Sequence, residues 1–396
     1  MAPLARVVWD PVFTKYDFGA EHPMAPIRLD LTARLCEAFG LFDHDDIDVL
    51  QPAPVSDEDL ETVHDPAYIA EVKRASQTPQ LADARFGLGT DDDPAFPGMH
   101  EASARIVEGT RHVCEAVWNG AVNHGVNFCG GMHHAMPERA SGFCIYNDIG
   151  VGIKWLLAHG AERVAYVDID VHHGDGVEKI FWDDPRVLTV SIHESGRALF
   201  PGTGWATDIG GPAAEGHAVN ISLPPGLGDS GWLRAFNAGV LPVVKAFKPQ
   251  IIVSQHGADT HAEDPLAHLH LSVEAQRDAA IALHRLAHQV CDGRWVALGG
   301  GGYAVVDVVP RAWTHLTAIA AHRPILPKTL VPESWLAAVH DLTGKIGPTH
   351  MGDLGGELIW WKSWDLGFDP SNALDRAVMA TRQAIFPLHG LDVWFD

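Results

Sequence analysis

Residues 164–176 have the sequence VAYVDIDVHHGDG, an apolar run that passes directly into acidic residues, histidines and glycines. The apolar part predicts a strand buried on both faces, as in a parallel sheet covered by helices. In open α/β sheets, ligands bind beyond the carboxyl ends of such strands. The polar part therefore predicts a functional site at the end of this strand.

Runs of the same kind recur on either side of this stretch, with helical patterns between them. The strands predicted in this way are residues 6–9, 125–129, 163–168, 187–192, 219–223, 250–255 and 295–298. The predicted helices include residues 26–39, 99–119, 147–159, 230–247, 273–290 and 310–322. This alternation predicts an α/β fold with one open, mainly parallel sheet flanked by helices.

Four of the predicted strands are followed by polar or glycine-rich loops. These loops are GGMHH at 130–134, DIDVHHGDG at 168–176, QHGAD at 255–259 and GGGGY at 299–303. Because the carboxyl ends of parallel strands lie along one edge of the sheet, we expect one site assembled from all four loops.

The chain has 396 residues and contains no repeat, linker or low-complexity segment. Large α/β enzymes of this length often form one domain, so we predict a single domain over residues 1–396. Its core would span about residues 5–320. Residues 324–396 differ in composition and contain several tryptophans, and we expect them to form a C-terminal extension packed on the core.

Composition and charge exclude some classes of function. The formal net charge is −23, from 51 acidic and 28 basic residues, which argues against general nucleic-acid binding. No run of 18 uninterrupted apolar residues and no leader-like N-terminus is present, so neither a membrane span nor export is expected. The five cysteines form no C-x-x-C pair, which is typical of a reducing compartment. A cytoplasmic protein is predicted.

A metal site is the first chemistry that the quoted stretch predicts. In an extended segment, residues two apart point to the same side, so Asp170 and His172 can face one ion. Asp259, at the end of another strand, is the candidate third ligand. Two carboxylates and one imidazole leave positions open, as a catalytic zinc site requires, and Fe²⁺ is also compatible. The alternative is an incidental Asp-x-His pair.

The adjacent His133 and His134 follow a predicted strand. Hydrolysis by metal-activated water needs a base for the water and an acid for the leaving amine, and imidazole can serve as either. Asp168 and Asp175 are carboxylates available to fix their tautomers. The alternative is a histidine doublet with no catalytic role.

Tyr303 follows four glycines, residues 299–302, which predict a loop rather than the interior of a helix or strand. A tyrosine hydroxyl on such a loop could donate a hydrogen bond to a developing oxyanion. The alternative is a glycine-rich turn followed by a tyrosine that only packs.

Taken together and in this order, the motifs resemble the histone deacetylase family. They are His22, Pro23, Met24, Pro26 and Arg28, then GGMHH at 130–134, ASGFC at 140–144, Asn147 and Asp148, DIDVHHGDG at 168–176, FPGTG at 200–204, GAD at 257–259 and LGGGGY at 298–303. The resemblance covers about residues 5–320. Within the family, SQHGADTH at 254–261, EDPL at 263–266 and the tail from Asp375 to Gly390 look most like the bacterial acetoin-utilisation deacetylases. The eukaryotic members usually have Cys at the position of His256.

The resemblance implies an arginase-like fold with a parallel sheet of about eight strands. It assigns Asp170, His172 and Asp259 as zinc ligands. His133 and His134 would be the acid–base residues, oriented by Asp168 and Asp175 respectively. Tyr303 would be the donor that polarises the carbonyl.

It also implies how a substrate is held. Phe143 and Phe200 would form the walls of a narrow tunnel for an aliphatic lysine stem, with room left by Gly142. Asp92, within three consecutive aspartates, would be a rim carboxylate that holds the substrate backbone, and Arg28 would lie at the inner end near the acetate product.

Potassium is a further cofactor that the resemblance implies. The first site would involve Asp168, Asp170, His172, Ser191 and Ile192. The second would involve Phe181, Asp184 and Val187.

Three functions remain open at this stage. The first is zinc-dependent hydrolysis of N-ε-acetyl or other short acyl groups from lysine in proteins, with acyl-CoA synthetases as the implied partners. The second is an acetylpolyamine or other small-molecule amidohydrolase. Leu266 stands beside the tunnel where some polyamine enzymes have a carboxylate, which favours lysine. The third is a non-enzymatic acyl-lysine binding module, which the complete set of catalytic positions disfavours.

Overall fold

The computed structural model describes residues 4–396, and an eight-stranded sheet organises them. The strands are β1 (Ala5–Val8), β2 (Ile47–Leu50), β3 (His124–Asn127), β4 (Val164–Asp168), β5 (Val187–Glu194), β6 (Ala218–Leu223), β7 (Ile251–Gln255) and β8 (Trp295–Leu298). Their order is β2-β1-β3-β8-β7-β4-β5-β6, and every neighbouring pair is parallel. The predicted open parallel sheet is confirmed.

Helices cover the sheet. They are α1 (Ile27–Ala38), α2 (Asp57–Leu60), α3 (Pro66–Gln77), α4 (Met99–Trp118), α5 (Asp148–Ala158), α6 (Asp175–Phe181), α7 (Asp229–Ala235), α8 (Leu241–Phe247), α9 (Val273–Val290), α10 (Val309–Ala320), α11 (Glu333–Thr343) and α12 (Ala373–Ile385). Every residue of β3, β4, β5, β7 and β8 is buried as a result. Burial on both faces explains why apolar residues continue without alternation through residues 164–167, residues 251–253 and β8. Polar residues of β3 and β5 are buried as well.

The helices that follow β3 and β7 begin with side-chain caps. Asn147 accepts a hydrogen bond from the backbone N–H of Gly150 at the start of α5, and Ser272 accepts one from Ala275 at the start of α9. Such caps satisfy backbone donors that the first turn of a helix leaves free. Each cap ends a loop that contributes to the site described below.

Several elements differ from the prediction, and the helices α2, α3, α6, α11 and α12 were not among those predicted. The edge strand β2 was not predicted, because only Ile47 among its four residues is buried and the hydrophobic signal is weak. The helix predicted over 230–247 consists of α7 and α8 joined by a π-helical turn, Phe236–Val240. One extra residue in a turn shifts the hydrogen-bond register without ending the helix.

Residues 324–396 pack against the core through buried polar contacts. On α7, Arg234 forms a two-pronged ion pair with Asp375 on α12, at 2.8 and 2.9 Å. Trp335 on α11 donates from Nε1 to the carbonyl oxygen of Leu31 on α1, at 2.8 Å. The extension therefore contacts the core at both of its helices.

Across residues 4–396, no helix has the length and apolar character needed to cross a membrane. The five cysteines are all buried free thiols.

Candidate active site

The loops that follow β3, β4, β7 and β8 meet at the carboxyl edge of the sheet, around a cavity of about 230 Å³. The predicted site residues that line it are Asp92, His133, His134, Gly142, Phe143, Asp170, His172, Phe200, Leu266 and Tyr303. Asp168, Asp175 and Asp259 lie directly behind this lining, where they contact His133, His134 and His172.

The three predicted zinc ligands form one compact group. Nδ1 of His172 lies 3.1 Å from Oδ1 of Asp170 and 3.3 Å from Oδ2 of Asp259. Both carboxylates are fully buried, and one ligand atom from each of the three residues lies within 4.8 Å of the others. This donor set of two oxygens and one nitrogen matches a catalytic zinc site with open positions.

The surroundings of these carboxylates also fit a metal ion. A β-carbon on Gly257 would collide with the Asp170 carboxylate, and one on Gly301 would collide with Asp259. Burial, followed by the charge of Asp170, raises the pKa of Asp259. Two buried carboxylates beside one imidazole form a group that a divalent cation would neutralise, so the residues present fit the predicted metal.

Other residues hold Asp170 in place. Its Oδ2 accepts hydrogen bonds from Nε2 of Gln255, at 2.7 Å, and from the backbone N–H of Gly301, at 2.9 Å. The orientation of this ligand is therefore fixed by β7 and by the four-glycine loop. Gln255 was not predicted, although it lies in the SQHGADTH segment, directly before the loop that carries Asp259.

His133 is oriented by Asp168, whose Oδ2 lies 2.7 Å from Nδ1 of the imidazole. Tyr166, which was also not predicted, donates its hydroxyl to the same oxygen at 2.6 Å. Burial by itself would lower the pKa of His133, but the charges of Asp168 and Asp170 outweigh it and raise the pKa to about 9. Tyr166 precedes Asp168 by two residues in β4, so the strand period gives the signal for this contact.

His134 has a matching partner, because its Nδ1 lies 2.7 Å from Oδ1 of Asp175. Here burial prevails and, together with the charge of His133, lowers the pKa to about 4. In both histidines the carboxylate occupies Nδ1, which leaves Nε2 as the nitrogen free to act on a substrate.

Tyr303 lies across the cavity on the four-glycine loop. Its backbone N–H donates to Oδ2 of Asp264 at 2.8 Å, a contact that was not predicted. Burial, together with the charge of Asp259, raises the pKa of Tyr303 well above its usual range. The hydroxyl therefore stays protonated and able to donate.

Arg28 lies behind the same loop. Its guanidinium is buried and donates to the carbonyl oxygens of Gly300 and Gly302, at 2.9 and 3.0 Å. The Arg28 guanidinium also lies over the ring of Trp313, 5.1 Å from its centroid. Arg28 thus fixes the loop that carries Tyr303 and is not among the residues lining the cavity.

Two phenylalanines flank the entrance to the cavity. The ring centroid of Phe143 lies 5.7 Å from that of Tyr303, and the centroid of Phe200 lies 5.0 Å from that of His134. Phe200 is 45% exposed, so it stands at the mouth. Leu266 adds an apolar side chain, and Met24, Met132 and Leu199 line the cavity without having been predicted.

Asp92 is the member of the 91–93 aspartate run that reaches the cavity. It is exposed, and its Oδ2 accepts a hydrogen bond from the backbone N–H of Gly142 at 2.9 Å. Asp93 points inward and is buried, and burial raises its pKa to about 9.

The residues predicted for potassium also lie near one another. Asp168 and Ser191 are register partners in neighbouring strands, beside Asp170 and His172. In the turn from α6 to β5, the backbone N–H of Asp184 donates to Phe181, and that of Val187 donates to Asp184. Potassium at either place stays a prediction.

Comparison with known proteins agrees with this geometry. The family profile described as "Histone deacetylase domain" matches residues 22–320. The chain is 41% identical over 331 residues to "Acetoin utilization protein AcuC" of Bacillus subtilis (strain 168), covering 83% of this chain and 84% of that one. It is 36% identical over 342 residues to the protein of the same name from Staphylococcus xylosus, covering 86% and 88%.

Two solved structures are similar as well. One is the crystal structure of an HDAC homolog complexed with SAHA, with a TM-score of 0.77, 30% identity and coverage of 86% of this chain and 89% of that one. The other is an HDAC homolog from Aquifex aeolicus, with a TM-score of 0.81, 28% identity and coverage of 95% and 99%. The chain belongs to the histone deacetylase family and, within it, to the subgroup of acetoin-utilisation proteins.

Proposed function

We propose that this chain hydrolyses the amide of N-ε-acetyl-lysine, or of another short acyl-lysine, in proteins and releases acetate. Its family is that of the histone deacetylases, and its relatives in Bacillus and Staphylococcus are named acetoin utilization proteins. The observation that carries the proposal is the buried group of Asp170, His172 and Asp259 beside two carboxylate-bound imidazoles. Groups at this position can activate a water molecule, polarise the substrate carbonyl and protonate the leaving amine.

Zinc is the proposed cofactor, and Fe²⁺ fits the same ligands. When bound, it supplies a Lewis acid that lowers the pKa of water and polarises the substrate carbonyl. Asp170, His172 and Asp259 would hold it, and Gln255 and the N–H of Gly301 keep Asp170 turned toward it. Potassium at the two predicted places would add positive charge near His133 and beneath β5.

The histidine pair moves the protons. As water adds to the carbonyl carbon, one Nε2 accepts a proton from the water, and a proton is delivered from the pair to the lysine nitrogen as the C–N bond breaks. Asp168 and Asp175 hold the two rings through Nδ1, at 2.7 Å in each case. They thereby fix the tautomers and stabilise the protonated forms.

Tyr303 stabilises the carbonyl oxygen as that oxygen gains negative charge. Its hydroxyl stays protonated because burial raises its pKa. Arg28 and Asp264 position the loop so that this donor is in place before the reaction. A donor that needs no rearrangement is most effective in a site shielded from water.

The shape of the cavity favours a linear acyl-lysine. Phe143 and Phe200 offer aromatic faces to an apolar stem, and Leu266 places no carboxylate beside it that would attract a polyamine. Asp92 at the rim is exposed and can accept a hydrogen bond from a peptide backbone. The net charge of −23 favours cationic, lysine-bearing partners. We propose cytoplasmic acyl-CoA synthetases with an acetylated lysine as the partners.

A competition experiment tests the substrate class. Purified zinc-loaded protein is given an acetyl-lysine peptide and acetylputrescine together, and the amine released from each is measured. We expect the peptide to have the higher kcat/KM. Preferential hydrolysis of acetylputrescine would favour the small-molecule alternative, and hydrolysis of neither would favour a binding module.

A further inference from the structure

Four histidines meet at the edge of the sheet opposite the active site. His124 is the first residue of β3, His284 and His288 lie on α9, and His322 follows α10. One ring nitrogen from each lies within 4.8 Å of the other three. His133 and His134 follow the opposite end of β3, so this histidine cluster is separate from the site described above.

The buried member of the cluster has a nitrogen without a partner. His124 is 0% exposed, and its Nδ1 donates to the carbonyl oxygen of Ala320 at 2.7 Å. This tautomer leaves a lone pair on Nε2, and no residue within 4–396 bonds that atom. Metal-binding histidines are commonly held in this way, with one ring nitrogen donating to a carbonyl oxygen and the other facing the ion.

The two histidines on α9 are already spaced for coordination. They are four residues apart, hence on one face of the helix, and their Nε2 atoms lie 3.2 Å apart. With zinc–nitrogen bonds of 2.0–2.1 Å, tetrahedral geometry places ligand nitrogens about 3.3 Å apart. The other distances between ring nitrogens of the four histidines are at most 4.8 Å. They would have to shorten by no more than about 1.5 Å when the ion binds.

His322 adopts a left-handed backbone, with φ of 57°. For a residue with a side chain this conformation is unfavourable. Its ring stacks on that of His124, with centroids 4.9 Å apart at 30°, and lies 4.8 Å from His284. The conformation thus brings a fourth imidazole to the other three.

The surroundings of His124 and His284 favour the neutral imidazole, the form that coordinates a metal. Burial and the neighbouring histidines lower the pKa of His124 to about 3 and that of His284 to about 4. His288 and His322 are exposed, so an ion can enter from solvent. His284 and His322 also border a groove of about 690 Å³ between α9, α10 and the segment around Trp361.

We propose that His124, His284, His288 and His322 form a second metal site that binds a divalent transition-metal ion, with zinc as the best fit. Four imidazoles complete a tetrahedron and leave no open position, which is typical of a structural site. Such an ion would tie the start of β3 to the ends of α9 and α10. The competing account is a cluster of neutral imidazoles joined only by hydrogen bonds.

Metal counting on the full chain tests the proposal. Protein stripped with a chelator is dialysed against buffered Zn²⁺, and bound zinc is measured for four forms: wild type, Asp259→Ala, the double variant His288→Ala with His322→Asn, and all three substitutions combined. Asparagine at 322 tolerates the left-handed backbone. We expect two equivalents of zinc in the wild type and one in Asp259→Ala. We also expect one equivalent in the double variant and none in the combined variant. His340→Ala, an exposed histidine on α11, is the control and should bind like wild type.

The pattern separates this proposal from the proposed function. If the double variant binds as much zinc as wild type, the second site does not exist, whatever the effect of Asp259→Ala. If Asp259→Ala leaves zinc content unchanged, the active-site assignment fails instead. Added Zn²⁺ should also raise the Tm of Asp259→Ala and should not raise that of the triple variant. If the double variant does not fold, the single variant His288→Ala is measured instead. We expect it to bind Zn²⁺ at the second site with at least tenfold lower affinity than the wild type, and unchanged affinity would overturn the proposal.

Discussion

Gly142 packs so closely against the imidazole of His134 that a β-carbon on the glycine would overlap the ring. Gly142 also has a left-handed backbone, with φ of 57°, and its N–H donates to Asp92. One residue therefore packs against the proposed acid–base residue His134 and binds the rim carboxylate of Asp92.

We expect Gly142→Ala to displace His134 and lower kcat/KM for an acetyl-lysine peptide by roughly a hundredfold, as a shift of about 1 Å in a catalytic group can do. Steady-state kinetics with zinc analysis would check this. Gly226→Ala is the control, because Gly226 has φ of 80° but nothing within 4 Å of its β-carbon position. Equal losses in both variants would assign the effect to backbone strain alone.

Tyr303→Phe should lower kcat by roughly a hundred- to a thousandfold and change KM little. The reason is that the hydroxyl interacts most strongly with the oxyanion of the transition state. Zinc content should not change. Tyr68→Phe removes another buried hydroxyl, outside the cavity, and should keep kcat. A near-normal kcat for Tyr303→Phe would leave the glycine loop with a structural role only.

Phe200→Ala should weaken binding of the aliphatic lysine stem. Loss of contact with one methylene is worth about 0.8 kcal/mol, so we expect KM to rise roughly fourfold. The wild type should turn over a bulky branched amide poorly, and Phe200→Ala should turn it over faster. Phe395→Ala, which removes an aromatic ring that is 85% exposed, provides the control. A wild-type protein that turns over both amides equally would contradict a narrow tunnel.

The packing of residues 324–396 on the core can be tested by stability. Asp375→Ala leaves the buried guanidinium of Arg234 without its partner, and we expect a loss of about 3–5 kcal/mol in the free energy of unfolding. Asp30→Ala breaks an exposed pair with Arg34 and should cost less than about 1 kcal/mol. Urea unfolding measures both. Similar small losses would mean that the extension adds little stability.

The sheet could be predicted from the sequence because several of its central strands contain uninterrupted apolar runs. Short runs such as Val164–Asp168 and Ile251–Gln255, placed between helical patterns, predict strands of a buried parallel sheet. The edge strand Ile47–Leu50 was not predicted, because it has only four residues, one of them an aspartate, and only Ile47 is buried. In α12, the pattern is interrupted by Asp375 and Arg382, which are buried through ion pairing and hydrogen bonding that only the tertiary structure supplies.

The candidate site was predictable where its residues lie close together in the chain. Asp170 and His172 share a strand end, so their spacing alone suggests a joint role. Asp259 and Tyr303 were candidates because each follows another strand, and the family resemblance then assigned their roles. The histidine cluster escaped prediction because its members come from three distant segments. Only His284 and His288, four residues apart on a helix, gave a local signal.

We propose above that a metal ion held by Asp170, His172 and Asp259 drives hydrolysis of acyl-lysine. The most direct test of this proposal is acetate release from an acetyl-lysine peptide by chelator-stripped protein, before and after Zn²⁺ is restored. We expect no turnover when stripped, recovery with zinc in the wild type, and no recovery in Asp259→Ala. Turnover by the stripped protein, or full recovery of Asp259→Ala, would contradict the account.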